Sequence, residues 1–456
     1  MEFENRDSSK KMGEWKVSRL LISYSLPVIS AYLAGSIHSI ISRAFIGNTV
    51  GPVGLAAVSL VYPITLIQMS FAFLLGMGGS TFAAIKVGEG DKELANKILN
   101  NSFLMIIDLG VVITIAGIIF IKEILIFLGA SAEVLPHAIA YGRIMIGGCI
   151  FQMINLGVTN YMRVEGKTGL AMIAVLINPI VNIFFAWLFI MKFRWGVSGA
   201  AGATFIGLFI SAGFIVIHFI TNKDFFRLKL RLMVINAKMS MEIIFLGLSS
   251  FAIQFSQSLM MMVLNLIMKK YGGDVAVSGM GAVTTLQQFI LTPVQGMNMG
   301  SQSLIGYNFG AKMNDRVKEI LRKGIIITTV VIMMEYIVIW AFARQIVSIF
   351  NSDDTELLEF SRKALLTFLF MLPIIPLQVQ GAGFFQAIRK PIHSMLLSMS
   401  RQVIVLIPIL LILSNFYGID GALYSGPISD TVVVMITMPL LIRHVKRLNI
   451  NTQDKI

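Results

Sequence analysis

Apolar runs long enough to cross a bilayer recur along this chain, separated by short polar islands. About twelve can be placed, centred near Ile29, Ile67, Val111, Cys149, Val181, Ile210, Ser256, Ile290, Ile332, Phe370, Val405 and Val432, most meeting the roughly 20 residues that a spanning helix requires. The runs are continuous and lack a two-residue alternation, which predicts helices and excludes a barrel.

The polar islands repeat. VGEGDKELANKIL from Val87 and FGAKMNDRVKEIL from Phe309 are charged, glycine-broken stretches of similar order. An offset of 222 residues brings Gly78 onto Gly300, Gly88 onto Gly310, and Ile98-Leu99 onto Ile320-Leu321. Without a new gap it also lays Gly196, Gly199 and Ala200 on Gly418, Gly421 and Ala422. An internal duplication follows. The predicted fold is an all-α membrane protein, twelve transmembrane helices in two homologous six-helix bundles of like orientation, related by an axis along the membrane normal. The predicted segments are a tail at 1–16, a bundle at 17–221, a linker at 222–238, a bundle at 239–445 and a tail at 446–456. Within the first island, Gly88 and Gly90 end one helix, Asp91 is placed to cap the next, and Glu93 with Lys97 forms an i,i+4 pair.

Composition agrees with the pattern. The 456 residues are 56% hydrophobic and only 13% charged, with a mean hydropathy of +0.80, against about 25% charge in soluble domains. A net charge of +13 does not indicate nucleic acid, because the basic residues fall in alternate loops: Lys10, Lys11, Lys16 and Arg19, then Lys86, Lys92 and Lys97, then Lys223 to Lys238, Lys312 to Lys323, Arg389 with Lys390, and Arg443 to Arg447. By the positive-inside rule these loops and both termini are cytoplasmic. The polar first sixteen residues contain no cleavable signal, and the lone Cys149 sits in an apolar run as a packing residue.

Two phosphate-friendly stretches fail on context. GMGGST from Gly76 ends a membrane helix, and GKT from Gly166 lacks the glycine five positions earlier that a P-loop needs. With no nucleotide site, no enzymatic chemistry and no cofactor expected, transport has to draw on an ion gradient.

At this point the chain resembles the multidrug and toxic compound extrusion (MATE) transporters. The resemblance rests on SLPVIS from Ser25, FIGNTVGPVGLAAVSLVYPI from Phe45, GMGGSTFAAIKVGEGD from Gly76, RVEGKTG from Arg163, and above all QGMNMGSQSLIGYNFGAKMNDRVKEIL from Gln295. GIDGALYSGPISD from Gly418 is a further match, to one bacterial branch. The resemblance implies a V-shaped pair of bundles in a bacterial inner membrane, exporting small organic cations against H⁺ or Na⁺ by alternating access. The chain is expected to act as a monomer whose partners are those cations and the lipid bilayer.

Two positions depart from the family pattern. Where its members commonly carry aspartate in the first and fifth helices, this sequence has Ser42 and Asn182. The expected ion, proton or substrate pocket of the N-terminal bundle is therefore His38, Ser42, Asn155, Asn178, Asn182 and Thr204. His38 is the replacement titrating group, one turn before Ser42 on the same face. Neutral oxygens can coordinate Na⁺, though without a carboxylate they offset desolvation less well. In the C-terminal bundle Gln254, Gln257, Ser258, Met261 and Asn265 form a polar stripe on the seventh helix. Gln287, Gln288, Gln295, Asn298 and Gln302 form another on the eighth, and both are read as cavity wall rather than interhelical glue. Asp108 and Asp430 are candidate coupling acids, with Glu335 a further buried carboxylate. No metal site is expected.

Two other readings remain open from the residues. One is a flippase for lipid-linked saccharides, for which Arg43, Arg143 and Arg401 would hold pyrophosphate. The other is an uncoupled, non-transporting relative.

Overall fold

The computed structural model describes residues 11–453 apart from 51, 129, 131, 223 and 349–354. A helical turn, Lys11–Glu14, precedes α1 (Val17–Thr49), α2 (Pro52–Gly88) and α3 (Lys92–Phe127). Helix α4 runs Leu135–Gly147 and, after a 46° bend, Cys149–Val164. Helix α5 (Thr168–Ala186) ends in a π-helical turn, Trp187–Lys192, and α6 is Gly196–Thr221.

The second half repeats the order. A continuous helical stretch, Ala237–Ile290, breaks at Gly273 (φ 64°) into α7 (237–272) and α8 (274–290, resuming as Thr292–Gly310). Helix α9 is Asn314–Ser348, and α10 joins Thr355–Phe368 to Ile375–Ala387 through a 3₁₀ turn, Leu372–Ile374. Helix α11 starts as Pro391–Met399, passes through a π-helical turn, Ser400–Ile404, and ends at Gly418 (φ 59°), after which α12 runs to Gln453. Among the described residues nine stretches are long and apolar enough to cross a membrane, ten with the bent α4. One of them, Pro391–Lys446, is two helices split at Gly418, and the amide-rich α8 completes the expected set.

The chain divides into two compact units. The first holds Ser30–Gln254 with Gly306–Lys312; the second holds Lys16–Ile29, Phe255–Ile305 and the chain from Met313 onward. Helices α1 and α7 thus each begin in one unit and continue in the other.

In the first unit, glycines bring backbones together at a spacing that no side chain would permit. A Cβ on Gly78 would lie 2.1 Å from Ile243 O, and one on Gly247 would lie 1.8 Å from Leu74 O, so α2 and α7 touch through small residues. The islands meet as well: a Cβ on Gly88 would lie 2.0 Å from Tyr307 O, and one on Gly310 would lie 2.0 Å from Ile85 O. These two contacts are reciprocal under the 222-residue offset, so each copy of the island packs on the other. Asn308, buried beside them, donates to Met12 O at 3.2 Å.

The first island caps its helix as its spacing predicts. Leu94 N–H donates to Asp91 Oδ1 at 2.9 Å, and Lys97 pairs with Glu93 at 2.7 Å. In the second copy Lys318 pairs with Asp315 at 3.0 Å and Lys323 with Glu319 at 2.7 Å. The left-handed residue of the turn is Gly90 (φ 88°) in one copy and Lys312 (φ 59°) in the other, 222 positions on.

The segment from 222 to 238 is pinned to α3 by three asparagines. Asn96 Oδ1 accepts from Arg227 N–H at 2.8 Å, and Asn100 accepts from Lys229 N–H at 2.9 Å while donating to Arg227 O at 2.8 Å. Asn101 Oδ1 accepts from Asn236 N–H at 3.3 Å. Phe226 from this segment is fully buried against Tyr161, edge to face, with ring centroids 5.6 Å apart.

Outward faces are apolar, as lipid requires. On α3, Val112, Ile115 and Ile119 are exposed along one stripe. In the second unit a separate core forms around Met268, Met280, Leu365, Leu372, Leu410 and Leu423.

Close backbone contact predicts a contrast between two glycines. Gly247→Ala should destabilise the protein by about 1–3 kcal/mol, whereas Gly213→Ala, with nothing within 4 Å of its Cβ position, should be neutral or stabilising. Thermal unfolding of the two variants in detergent checks this, and equal melting temperatures would refute it.

Candidate functional site

Polar groups in the first unit gather where α4, α5 and α6 meet. Helices α5 and α6 run antiparallel, so residues advancing along one pair with residues receding along the other. At one rung Asn182, fully buried, donates from Nδ2 to Thr204 Oγ1 at 2.8 Å, and Thr204 donates to Ala200 O at 3.1 Å. At the next, Asn178 packs on Gly207, where a Cβ would lie 2.4 Å from Asn178 Oδ1. That oxygen is buried and has no hydrogen-bond partner among the described residues. At the third, Ser211 Oγ lies 2.5 Å from Ala174 O and also donates to Asn155 Oδ1. Asn155 fastens α4 to this ladder, its Nδ2 donating to Leu208 O at 3.0 Å and to Phe151 O at 2.8 Å.

Four predicted residues, Asn155, Asn178, Asn182 and Thr204, are therefore brought to one three-helix contact. Ser211 joins them and was missed from the sequence, although it lies two helical turns after Thr204 and so shares its face. The side chains of His38 and Ser42 lie outside those described. What the ladder offers chemically is neutral acceptors. An unsatisfied buried carbonyl oxygen carries a penalty of about 1–3 kcal/mol, which a donor such as an ammonium, a water or a bound cation would remove.

The second unit holds a comparable cluster between α8 and α10. Ser301 Oγ donates to Met297 O at 2.7 Å and lies 3.1 Å from Gln380 Oε1. Asn298 Oδ1, Gln302 Oε1 and Gln380 Nε2 are buried without hydrogen-bond partners among the described residues. Gly383 makes room for them: a Cβ there would lie 1.8 Å from Asn298 Oδ1. The eighth-helix stripe contained Asn298 and Gln302, but Gln380 went unrecognised, because a glutamine in LQVQGAGFFQ carries no motif. Gln257, Ser258 and Met261 are half-buried on α7, as is Gln254, which belongs to the first unit, while Gln288 and Asn265 are exposed.

The acids separate. Asp108 is exposed and shares the outward stripe of Val112, Ile115 and Ile119, so it does not point into a bundle. Asp430 is buried on α12 and accepts from Arg401 Nε at 2.9 Å. Glu335 on α9 has one buried oxygen without a hydrogen-bond partner among the described residues. A charged knot closes one end of α4 and α6: the buried Glu165 lies 3.3 Å from both Lys167 and His218, accepts from Asn222, and Lys167 reaches Asp224 at 2.6 Å. An open groove of about 670 Å³, lined by Met435, Met438, Pro439, Ile442, Arg443 and Lys446, is a recess on α12 alone and includes none of the predicted residues.

The model of the MatE family matches residues 27–188 and again residues 249–412. This chain belongs to the MatE family. The two matches of this MatE chain begin 222 positions apart, the offset of the glycine motifs. It is 26% identical over 445 residues to "Multidrug export protein MepA" of Staphylococcus aureus strain MRSA252, covering 96% of this chain and 97% of that one. It is 25% identical over 425 residues to the protein of the same name from Staphylococcus saprophyticus, covering 92% of each. Among solved structures, a MATE in complex with MaL6 superposes with a TM-score of 0.92 at 23% identity, over 98% of this chain and 99% of that one. An outward-facing multidrug resistance MATE family transporter superposes with a TM-score of 0.91 at 23% identity, over 96% and 98%.

The ladder of this MatE chain predicts opposite outcomes for neighbouring asparagines. Asn155→Ala should lower stability by about 1–3 kcal/mol, because it removes the hydrogen bonds that tie α4 to Leu208 O and Ser211 Oγ of α6, whereas Asn178→Ala removes an acceptor already unpaired and should cost little. Melting temperatures in nanodiscs check this; a larger loss for Asn178→Ala would refute the assignment.

Proposed function

We propose that this protein is a secondary active exporter of amphipathic organic cations, driven by inward H⁺ or Na⁺ through alternating access of two six-helix bundles joined by the 222–238 linker. The observation that carries the reading is the set of buried, unpartnered amide oxygens of Asn178, Asn298 and Gln302 on membrane helices. Polar groups at that depth are expensive unless they serve a site, and carbonyl oxygens are the groups that receive a cationic or hydrogen-bond-donating ligand. Relatives named as multidrug export proteins over nearly the full chain support the same reading.

Substrate binding here involves no bond making. Asn178, Asn182, Thr204 and Asn155 would orient a cation in one bundle, and Asn298, Gln302 and Gln380 in the other. The protein would work as a monomer in a bacterial inner membrane with both termini cytoplasmic, as the distribution of Lys and Arg indicates.

The flippase reading draws less support. It needs free cationic groups to hold pyrophosphate, but Arg401 is paired with Asp430 and Arg143 is exposed, while the side chain of Arg43 lies outside those described.

In proteoliposomes holding the purified protein, ethidium should move uphill when a pH gradient or a Na⁺ gradient is imposed, and should not move without either. Absence of movement under both gradients would overturn the exporter reading.

A further inference from the structure

The offset of 222 residues places the ladder of the first unit on a different kind of contact in the second. Asn178 and Pro179 correspond to Ser400 and Arg401, and Gly207 and Leu208 to Ser429 and Asp430. Where α5 meets α6 through neutral groups, α11 meets α12 through an ion pair, Arg401 Nε to Asp430 Oδ1 at 2.9 Å, with only 15% and 9% of the two side chains exposed.

Each polar or small residue of the GPISD stretch has a contact. A Cβ on Gly426 would lie 2.8 Å from the Phe368 ring, so α12 packs tightly on α10. Pro427 removes a backbone donor inside α12. Ser429 Oγ donates to Arg401 O at 3.2 Å, and Asp430 takes the guanidinium. Arg401 itself lies in the π-helical turn, where Val405 N–H reaches back to Ser400 O at 2.9 Å. Such single π-helical turns inside α-helices are rare and frequently fall at functional sites.

A buried ion pair of this kind is weak evidence for stability, since apolar residues of similar size serve as well or better. Its strength depends on charge: neutralising the carboxylate would remove the attraction that holds Arg401. The guanidinium at 2.9 Å opposes any cation on that carboxylate, H⁺ included, but a proton needs a single oxygen, whereas Na⁺ needs several oxygen ligands, and the neighbouring Ser429 Oγ is already donating to Arg401 O. On the packed elements, His393 of α11 and His444 of α12 lie ring to ring with centroids 5.2 Å apart, Arg443 and Lys446 line the open groove on α12, and two further sets of charges pair among themselves. Lys363 pairs with Asp420 at 2.5 Å, and Glu359 lies between Arg362 and Arg344 at 3.5 and 3.9 Å. Glu335 on α9 is a further acid, and among the described residues Arg401 is the charged group that acts on Asp430.

We propose that the Arg401–Asp430 pair is the coupling element of this exporter, and that the coupling ion is H⁺. The inference rests on the export reading above. A proton arriving from outside forms an O–H bond on Asp430 and Arg401 leaves the neutral carboxyl; loss of that proton to the cytoplasm restores the pair. No other bond forms or breaks.

The test uses the full chain in proteoliposomes with ethidium as the probe. A pH difference of about 1 unit supports about tenfold accumulation per proton exchanged. Wild type should reach that accumulation under a pH gradient and none under a Na⁺ gradient alone, and adding ethidium should evoke proton movement. Asp430→Asn and the double variant Arg401→Gln/Asp430→Asn should equilibrate ethidium without accumulating it and without moving protons, and Asp430→Glu should recover part of the accumulation. Uphill transport by the double variant at the wild-type level would overturn the proposal and make the pair a static clamp. Failure of wild type to move ethidium under any gradient would overturn the export reading and this proposal together.

A second measurement needs no variant. Carbodiimide labelling of wild type, mapped by mass spectrometry with Glu335 as internal reference, should modify Asp430 at low pH and spare it when ethidium is present. Asp430 unmodified at every pH would refute proton uptake at this site.

Discussion

Hydrocarbon supplies no hydrogen bonds, so a polar side chain buried among the helices of this protein is met by another part of the protein or is left unmatched. That constraint sorts the molecule. Asn155, Asn182, Thr204 and Ser211 are met by neighbours across α4, α5 and α6 and hold those helices in register. Asn178, Asn298 and Gln302 are left with buried oxygens unmatched. The division between matched and unmatched groups is therefore one of geometry, because asparagines stand on both sides of it.

Small residues make that geometry attainable. Backbones approach at Gly78, Gly247, Gly88 and Gly310 closely enough that carbonyls occupy the space of a Cβ. Gly207 and Gly383 do a related task at the polar clusters, since each leaves the volume into which an amide side chain projects. Packing of this kind depends on van der Waals contact more than on burial from water, which gives helices in lipid little drive to associate.

The duplicated halves have diverged in charge while keeping their backbone. Positive φ angles recur at Gly90 and Lys312 and at Gly196 and Gly418, each pair 222 positions apart. At the α5–α6 contact the first half is neutral; at the matching α11–α12 contact the second half carries Arg401 and Asp430. In the first half Ser42 and Asn182 occupy the two positions where the resemblance leads us to expect acids.

Much of the architecture was legible in the sequence because its signals are local or periodic. Continuous apolar runs give spanning helices, Asp91 and the Glu93–Lys97 spacing give the turn, and a fixed offset gives the repeat. Asn178 and Asn182 could be put on one face because helical periodicity is known in advance. Which oxygens stay unmatched could not be read, since that depends on whether Thr204, Gly207 or Ser211 arrives opposite each asparagine. For the same reason Asp108 and Asp430 look alike as letters in apolar runs. Only the packing of α3 against its neighbours turns the first outward with Val112 and Ile115, and only the meeting of α11 with α12 gives the second an arginine.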